Sequence, residues 1–250
     1  MSAWRQRLAR LARYYTSSPR LRISRYCDQA RSAEAVRIGR HRALVGGLWD
    51  QVGPLQFDYV RARGLTPDMY VIDVGCGCLR GGVHFVGYLL PGHYYGVDIS
   101  QELLDAGYDV ELGRLGLQDR LPRENLLCSG EFELGRFGVT FDVAIAVSLF
   151  THLPASHVRA CLTRLAGVVR VGGVLYATIF LSPESHDWRK PLTHSPGGIT
   201  TYPASDPYHY REEEILACAA GLPWSVALDR NWGHPRGQTM VTLSREQEAS

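Results

Sequence analysis

The sequence predicts an α/β protein built on a doubly wound, mainly parallel sheet of seven strands covered by helices. Three observations support this prediction. Short apolar runs alternate with amphipathic helical patterns, and the first run, "VIDV", opens into a glycine-rich turn. The last two runs alternate apolar and polar residues across a turn-rich link, which is typical of an antiparallel hairpin at a sheet edge.

Composition favours a protein of the cytoplasm with a substantial core. Hydrophobic residues make up 45% of the 250 residues. The longest apolar run, residues 171–181, is too short to span a bilayer, and we find no secretory signal pattern. The six cysteines form no C-x-x-C pair, so reduced thiols are expected rather than disulfides or a zinc site.

The first 64 residues are predicted to form a basic helical extension that acts as a lid on a second domain, residues 65–250. Residues 1–63 hold 13 arginines against 4 acidic residues, although the net charge of the whole chain is only +2. Residues 4–15 form a basic amphipathic helical pattern, which could also make a peripheral membrane contact. An arm for nucleic acid is the weakest of the three alternatives.

The elements follow in order along the chain. Periodicity, caps and turn residues predict seven strands: Met69–Val74, Tyr94–Asp98, Asn125–Cys128, Phe141–Val147, Val174–Leu181, Trp224–Leu228 and Gln238–Leu243. The main helices are expected up to Gly64, over Gly81–Leu90, from Ser100 to about Gly113, and over Pro154–Val169 and Arg211–Ala220. Residues 182–210 are expected to form a long irregular insertion.

The glycine-rich turn "VIDVGCGCLRGG" predicts a site for an adenosine-containing cofactor. Gly75 and Gly77 let the backbone approach a ligand, and Asp98, 21 residues after Gly77, ends the second strand, where a carboxylate can hold ribose hydroxyls. Arg80 occupies the position of the third glycine in a dinucleotide fingerprint, and the only lysine, Lys190, has no Y-x-x-x-K partner. Asp73 could face an ammonium group near the turn. Nicotinamide cofactors carry no such group, so they are disfavoured.

Residues 49–243 resemble the class I S-adenosylmethionine-dependent methyltransferases, which have a Rossmann-like fold. "VIDVGCG" is similar to the first motif of that family and "GVDIS" to its acidic second-strand motif. "SGEFEL", "FDVAIAVSLFTHLP" and "VVRVGGVLYAT" resemble the three later motifs, in order and at workable spacing.

The resemblance implies S-adenosylmethionine as cofactor and a role for each matching residue. Asp73, Gly75 and Gly77 would line the methionine portion, and Asp98 would hold the ribose. The remaining implied contacts are Glu131 to the adenine amine, Ile99 and Phe132 to the adenine ring, and Ser148 and Phe150 to the methionine and sulfonium. The sequence departs from the family at Leu79, where a third alternate glycine is common. Arg80 could then pair with the cofactor's carboxylate or be a solvated arginine at a helix start.

The acceptor-side prediction depends on His152 and on the insertion 182–210. His152 follows the fourth strand and is the candidate base for a hydroxyl acceptor, so the reaction expected is O-methylation. Aromatic and polar side chains of the insertion would contact the acceptor: Trp188, His194, Tyr202, Tyr208 and His209.

This mixture of rings and polar groups favours a sugar or glycan as the acceptor. The alternatives are a small aromatic, polyketide or lipid-linked hydroxyl, and a non-catalytic binding module. Nucleic acid is not expected as a partner. His and Asp side chains of the insertion could hold a divalent cation together with His152. No recognised metal motif is present, so we predict no metal.

Overall fold

The computed structural model describes residues 24, 26 and 28–247, so the amphipathic pattern at residues 4–15 lies outside the described residues. The described residues divide into two compact units. The first unit holds residues 26–147, and the second holds residues 148–247 together with Ser24. Residues 26–64 of the predicted extension therefore belong to the same compact unit as the glycine-rich turn. The lid role of the extension stays a prediction.

The first unit contains four parallel strands in the order β3-β2-β1-β4. They are β1 (Val71–Val74), β2 (Tyr94–Asp98), β3 (Leu126–Cys128) and β4 (Phe141–Ala146). β1 is buried along its whole length, as its apolar sequence predicts, and Val71 pairs with Tyr94 on one side and Val143 on the other. Strand order therefore reverses at β1, which is where doubly wound sheets bind ligands.

Helices cover this part of the sheet. They are α1 (Gln29–Arg37), α2 (His41–Leu44), α3 (Trp49–Arg61), α4 (Gly82–Tyr88), α5 (Gln101–Asp105) and α6 (Gly113–Leu115). Ser100 caps α5 by accepting from the Leu103 N–H, as predicted. Between α5 and α6 the chain forms a seven-residue π-helical segment, Ala106–Leu112, which the sequence pattern did not predict. A Cβ on Gly107 of that segment would lie 2.7 Å from Leu79 Cγ, so the segment packs directly on the glycine-rich turn.

The second unit contains the order β5-β10-β9, with antiparallel pairing. The strands are β5 (Val169–Leu181), β6 (Leu192–His194), β7 (Ile199–Thr201), β8 (His209–Tyr210), β9 (Trp224–Asp229) and β10 (Thr239–Arg245), and the helices are α7 (Ala155–Ala166) and α8 (Glu212–Ala219). The predicted C-terminal hairpin is confirmed as β9 and β10. Trp224 anchors it to α7, because its indole N–H donates to the Leu162 carbonyl at 3.1 Å.

Two predictions for the second unit were wrong in detail. The "VGG" sequence was expected to turn the chain into a strand at Val174, but β5 begins at Val169 and includes Gly172 at φ 78°. The insertion 182–210 was expected to be irregular. It contains the antiparallel hairpin β6-β7, and β8 follows it in parallel pairing with the end of β5. In the described part of the chain, no helix is long and apolar enough to cross a membrane.

Candidate active site

The glycine-rich turn after β1 is defined by backbone torsion at alternate residues. Gly75, Gly77 and Leu79 have φ values of 77°, 55° and 63°. Glycine adopts such left-handed conformations freely, whereas they cost other residues about 1–2 kcal/mol. Leu79 thus continues the left-handed conformation of Gly75 and Gly77, and its side chain is fully buried. The departure from the family pattern at this position therefore places a leucine in a conformation that glycine adopts more easily.

Asp98 organises this turn as well as ending β2. Its Oδ2 accepts a hydrogen bond from Gly77 N at 2.8 Å, and its Oδ1 accepts from Ser100 N at 3.0 Å. Burial raises the pKa of the Asp98 carboxyl, and the backbone donors oppose that rise. A carboxylate held this rigidly still has acceptor capacity on both oxygens, which suits paired ribose hydroxyls.

Asp73 is a buried acid next to the turn. Its Oδ2 accepts from the Tyr94 hydroxyl at 2.9 Å. Burial raises the pKa of Asp73 to about 7, and the nearby Asp98 charge adds to that rise. A positive ligand group would favour the ionised carboxylate, so Asp73 fits the ammonium role implied by the resemblance.

Arg80 holds neighbouring backbone against the turn. Its Nη1 donates to the carbonyls of Val45 and Gly47, each at 3.1 Å. A Cβ on Gly77 would meet Val45 Cγ1 at 2.9 Å, so residues 45–47 cover the turn closely. The sequence predicted either a cofactor contact or a solvated arginine for Arg80. The structure adds a third role, the attachment of this covering segment.

The residues predicted to surround the adenine follow β2 and β3. Phe132 is buried with φ 53°, and Ile99 is half-buried. A Cβ on Gly130 would lie 3.3 Å from Ile99 Cδ1, so the chain after β3 packs on Ile99. The Glu131 side chain is exposed, and its backbone N–H donates to Ser129 Oγ at 3.2 Å.

In the second unit, His152 forms a pair with Asp206. His152 ends a 3-10 turn, Phe150–His152, and its Nδ1 is hydrogen-bonded to Asp206 Oδ1. The other oxygen of Asp206 accepts from the Ser24 hydroxyl at 2.9 Å. Both side chains are largely buried. A histidine oriented in this way by a carboxylate has the arrangement expected of a general base.

Ser148 and Phe150 precede His152 and differ in character. Ser148 is in the left-handed region at φ 62°, which is strained for a serine. Phe150 is fully buried in the core of the second unit.

Most residues predicted to contact the acceptor form the interior of the insertion instead. His209 Nε2 donates to the Trp188 carbonyl at 2.8 Å, and its Nδ1 pairs with Thr201 Oγ1 at 2.8 Å. His194 Nε2 pairs with the same hydroxyl at 2.9 Å. Burial, together with the neighbouring His209, lowers the pKa of His194 to about 4. This network uses both ring nitrogens of His209.

The three aromatic residues of that prediction also differ from one another. The Arg211 guanidinium lies 4.4 Å from the centre of the Trp188 ring, so one face of the ring is covered. Tyr208 is buried, whereas Tyr202 is 38% exposed. Of the predicted set, Tyr202 is therefore the residue best placed to offer an open aromatic surface.

Ser24 was not predicted as a site residue, and Asp206 was considered only as a polar side chain that could contact the acceptor or hold a cation together with His152. Asp206 was one of several polar residues in the insertion, and no spacing rule links it to His152, which lies 54 positions earlier. Among the described residues there is no group of three or more His, Cys, Asp or Glu side chains arranged to hold a metal ion.

Comparison with known proteins agrees with this arrangement. Residues 72–175 match a family model described as a methyltransferase domain. The chain is 28% identical over 147 residues to the ubiquinone biosynthesis O-methyltransferase of Hahella chejuensis (strain KCTC 2396). The aligned region covers 54% of this chain and 53% of that protein. The chain therefore matches about half the length of that relative.

Two solved structures share the fold at low sequence identity. Magnesium protoporphyrin IX methyltransferase from Synechocystis PCC 6803, with bound S-adenosylmethionine, aligns with a TM-score of 0.55 and 14% identity over 98% of this chain and 99% of that one. An S-adenosylmethionine-dependent methyltransferase from Clostridium acetobutylicum ATCC 824 gives a TM-score of 0.61 and 12% identity over 86% and 98%. Four findings therefore agree on the fold. They are the mainly parallel sheet, the torsions of the turn after β1, the family-model match and these two structures. The chain has the fold of the class I S-adenosylmethionine-dependent methyltransferases, and residues 72–175 of it match the methyltransferase-domain model.

Proposed function

We propose that this chain is an O-methyltransferase in which His152 accepts the proton of an acceptor hydroxyl and Asp206 orients the imidazole. The observation that carries the proposal is the His152–Asp206 hydrogen bond at the end of the turn Phe150–His152. An alcohol is a weak nucleophile until its proton is removed, so O-methylation needs a positioned base.

The tautomer of His152 follows from the Asp206 contact. A carboxylate can only accept, so the proton of a neutral His152 ring lies on Nδ1 and the basic nitrogen is Nε2. Once Nε2 takes the hydroxyl proton, the imidazolium is stabilised by the Asp206 charge. General base catalysis of this kind contributes roughly 100- to 10,000-fold to the rate.

The first unit would hold the methyl donor. Asp98 would accept hydrogen bonds from the ribose hydroxyls, and Asp73 would face the ammonium group of the methionine portion. Ile99 and Phe132 would enclose the adenine, with Glu131 at its amine. S-adenosylmethionine supplies the electrophilic methyl group when bound.

For the acceptor, we propose a small aromatic or lipid-linked hydroxyl. A curated relative is named for O-methylation in ubiquinone biosynthesis, which supports this class. A sugar acceptor was the leading expectation from the sequence. It relied on five residues, Trp188, His194, Tyr202, Tyr208 and His209, of which His194, Tyr208 and His209 are buried. A sugar hydroxyl is therefore kept as the second acceptor class to be tested.

The test is transfer of labelled methyl from S-adenosylmethionine. The full chain is incubated with a catechol, with a catechol carrying an isoprenoid tail, with sugars and with RNA, and label is counted in each product. We expect label in a phenolic product, lost in His152→Gln and kept in His157→Gln as a matched histidine control. Label in the sugar product alone would show that the acceptor is a sugar and not a small aromatic or lipid-linked hydroxyl. Undiminished transfer by His152→Gln would overturn the base assignment.

A further inference from the structure

All three polar groups of Ser148 are held by side chains of other residues. Its N–H donates to Thr178 Oγ1 at 2.7 Å, and its hydroxyl donates to Gln238 Oε1 at 3.1 Å. Its carbonyl accepts from Thr151 Oγ1 at 2.9 Å. We call Thr151, Thr178 and Gln238 the Ser148 clamp.

The side-chain hydrogen bonds of the clamp converge on Gln238 Oε1. Thr178 Oγ1 receives the Ser148 N–H, so its own hydrogen goes to Gln238 Oε1, at 2.6 Å. Ser148 gives its hydroxyl hydrogen to the same oxygen. Gln238 Oε1 thus accepts hydrogen bonds from both hydroxyls. The Gln238 backbone is fixed too, because its carbonyl accepts from the Trp232 indole at 2.8 Å.

The clamp is buried and opposes local strain. Thr151 and Thr178 are fully buried and Gln238 is 5% exposed. Leaving one of these buried groups without its partner costs about 1–3 kcal/mol, and a left-handed serine costs about 1–2 kcal/mol, so the three contacts together outweigh the strain. The hydrogen bonds of the clamp therefore stabilise Ser148 at φ 62° by more than this conformation costs.

The same contacts reach both members of the proposed base pair. Thr151 lies inside the turn that ends at His152. The Thr151 carbonyl accepts from the N–H of Tyr208, two residues after Asp206, at 2.8 Å. Fixing Ser148 and Thr151 thus fixes the turn that carries His152 and the segment that carries Asp206.

We propose that Thr178 and Gln238 are positioning residues for the His152–Asp206 base, acting through Ser148 and Thr151. This inference rests on the proposed function, because it assigns the clamp to the base named there. It adds two residues on β5 and just before β10, which are 26 and 86 positions beyond His152 in the sequence.

The first test measures the clamp without any acceptor. Thr178→Val keeps the side-chain shape and removes the hydroxyl, and Thr178→Ser restores it. Hydrogen exchange is followed by mass spectrometry in peptides covering residues 148–153 and 206–210. We expect at least tenfold faster exchange in both peptides for Thr178→Val and wild-type exchange for Thr178→Ser. Thr242→Val, on β10 outside the clamp, is the matched control. Unchanged exchange in Thr178→Val would overturn the proposal.

The second test measures turnover in a double-mutant cycle with His152→Ala, using the acceptor that takes up label in the transfer assay. Thr178→Val should lower kcat about tenfold with cofactor affinity within twofold, and Thr178→Ser should restore kcat. In the His152→Ala background the same change should have less than a twofold effect. Equal losses in both backgrounds, or an unaffected Thr178→Val beside an impaired His152→Ala, would overturn the clamp alone. Full turnover by His152→Ala would overturn the base assignment, and the clamp's role with it.

Discussion

The two compact units of this chain are built by different means. In the first unit, the turn after β1 is shaped by backbone: left-handed residues at alternate positions and N–H groups directed to Asp98. In the second unit, side chains do the equivalent work. His152 is held by Asp206, Ser148 by its clamp, and the insertion by the Thr201 network.

The difference affects how each half can change. A backbone-shaped turn depends on a few positions that admit little or no side chain, so it accepts few substitutions. A side-chain network can be rebuilt from other polar residues, provided that each buried donor and acceptor finds a partner. We therefore expect the turn after β1 to tolerate fewer substitutions than the polar networks of the second unit.

The largest expected effect tests whether the second unit supplies chemistry. His152→Ala should lower kcat roughly 100- to 10,000-fold, because the acceptor hydroxyl loses its base. Cofactor affinity, measured by calorimetry with S-adenosylhomocysteine, should stay within twofold. A parallel loss of kcat and of cofactor affinity would mean that His152 contributes to cofactor binding. The proposed role of His152 as the base for the acceptor would then be wrong.

The next effect tests the first unit. Asp98→Asn should weaken S-adenosylhomocysteine binding about 10- to 100-fold, since charge-assisted hydrogen bonds are worth roughly 1.5–3 kcal/mol. The exposed Asp119 provides the matched Asp119→Asn control, which should bind normally. Normal binding by Asp98→Asn would remove Asp98 from the ribose site.

A smaller effect distinguishes torsion from residue identity at Leu79. Both Leu79→Ala and Leu79→Gly delete a buried side chain and should cost about 2–5 kcal/mol of unfolding free energy. Glycine also relieves the left-handed strain, so Leu79→Gly should be about 1 kcal/mol more stable than Leu79→Ala in urea unfolding. The reverse order would show that the turn is not held at positive φ in solution.

The smallest effect is a difference in acid response between the halves. The pKa of His194 is lowered to about 4, so between pH 6.5 and 4 the unfolded chain binds its proton more readily and stability falls on acidification. The pKa of Asp73 is raised to about 7, so the folded chain binds that proton more readily and stability rises as pH falls from 7 towards 4.

Thermal unfolding at pH 7 and pH 5 separates these contributions. Relative to wild type, His194→Gln should lose less stability on acidification and Asp73→Asn should lose more. Three parallel profiles would mean that neither group is perturbed in the folded protein.

The sequence predicted what depends on local patterns. Strand positions were close because alternation and apolar runs are local signals, and β2 had the predicted bounds, Tyr94–Asp98. Gly75, Gly77 and Asp98 could be recognised because their residue types are tied to backbone geometry. The pairing of His152 with Asp206 could not be predicted, since it depends on where the insertion folds back. The same holds for Thr178 and Gln238, which are polar residues in otherwise apolar or turn-rich surroundings. The torsion of Leu79 was hidden by its residue type.

The π-helical segment Ala106–Leu112 makes the chain sensitive to length at a point within a helical region. A π-helical turn accommodates one more residue than an α-helical turn, and each residue rotates a helix by about 100°. Deleting a single residue there would turn Glu111 away from His41 and Arg42, whose side chains it now binds at 2.6 and 2.8 Å. It would also loosen Gly107 from the backbone of Cys78. Natural variation in chain length should therefore avoid these seven residues and accumulate in the insertion 182–210.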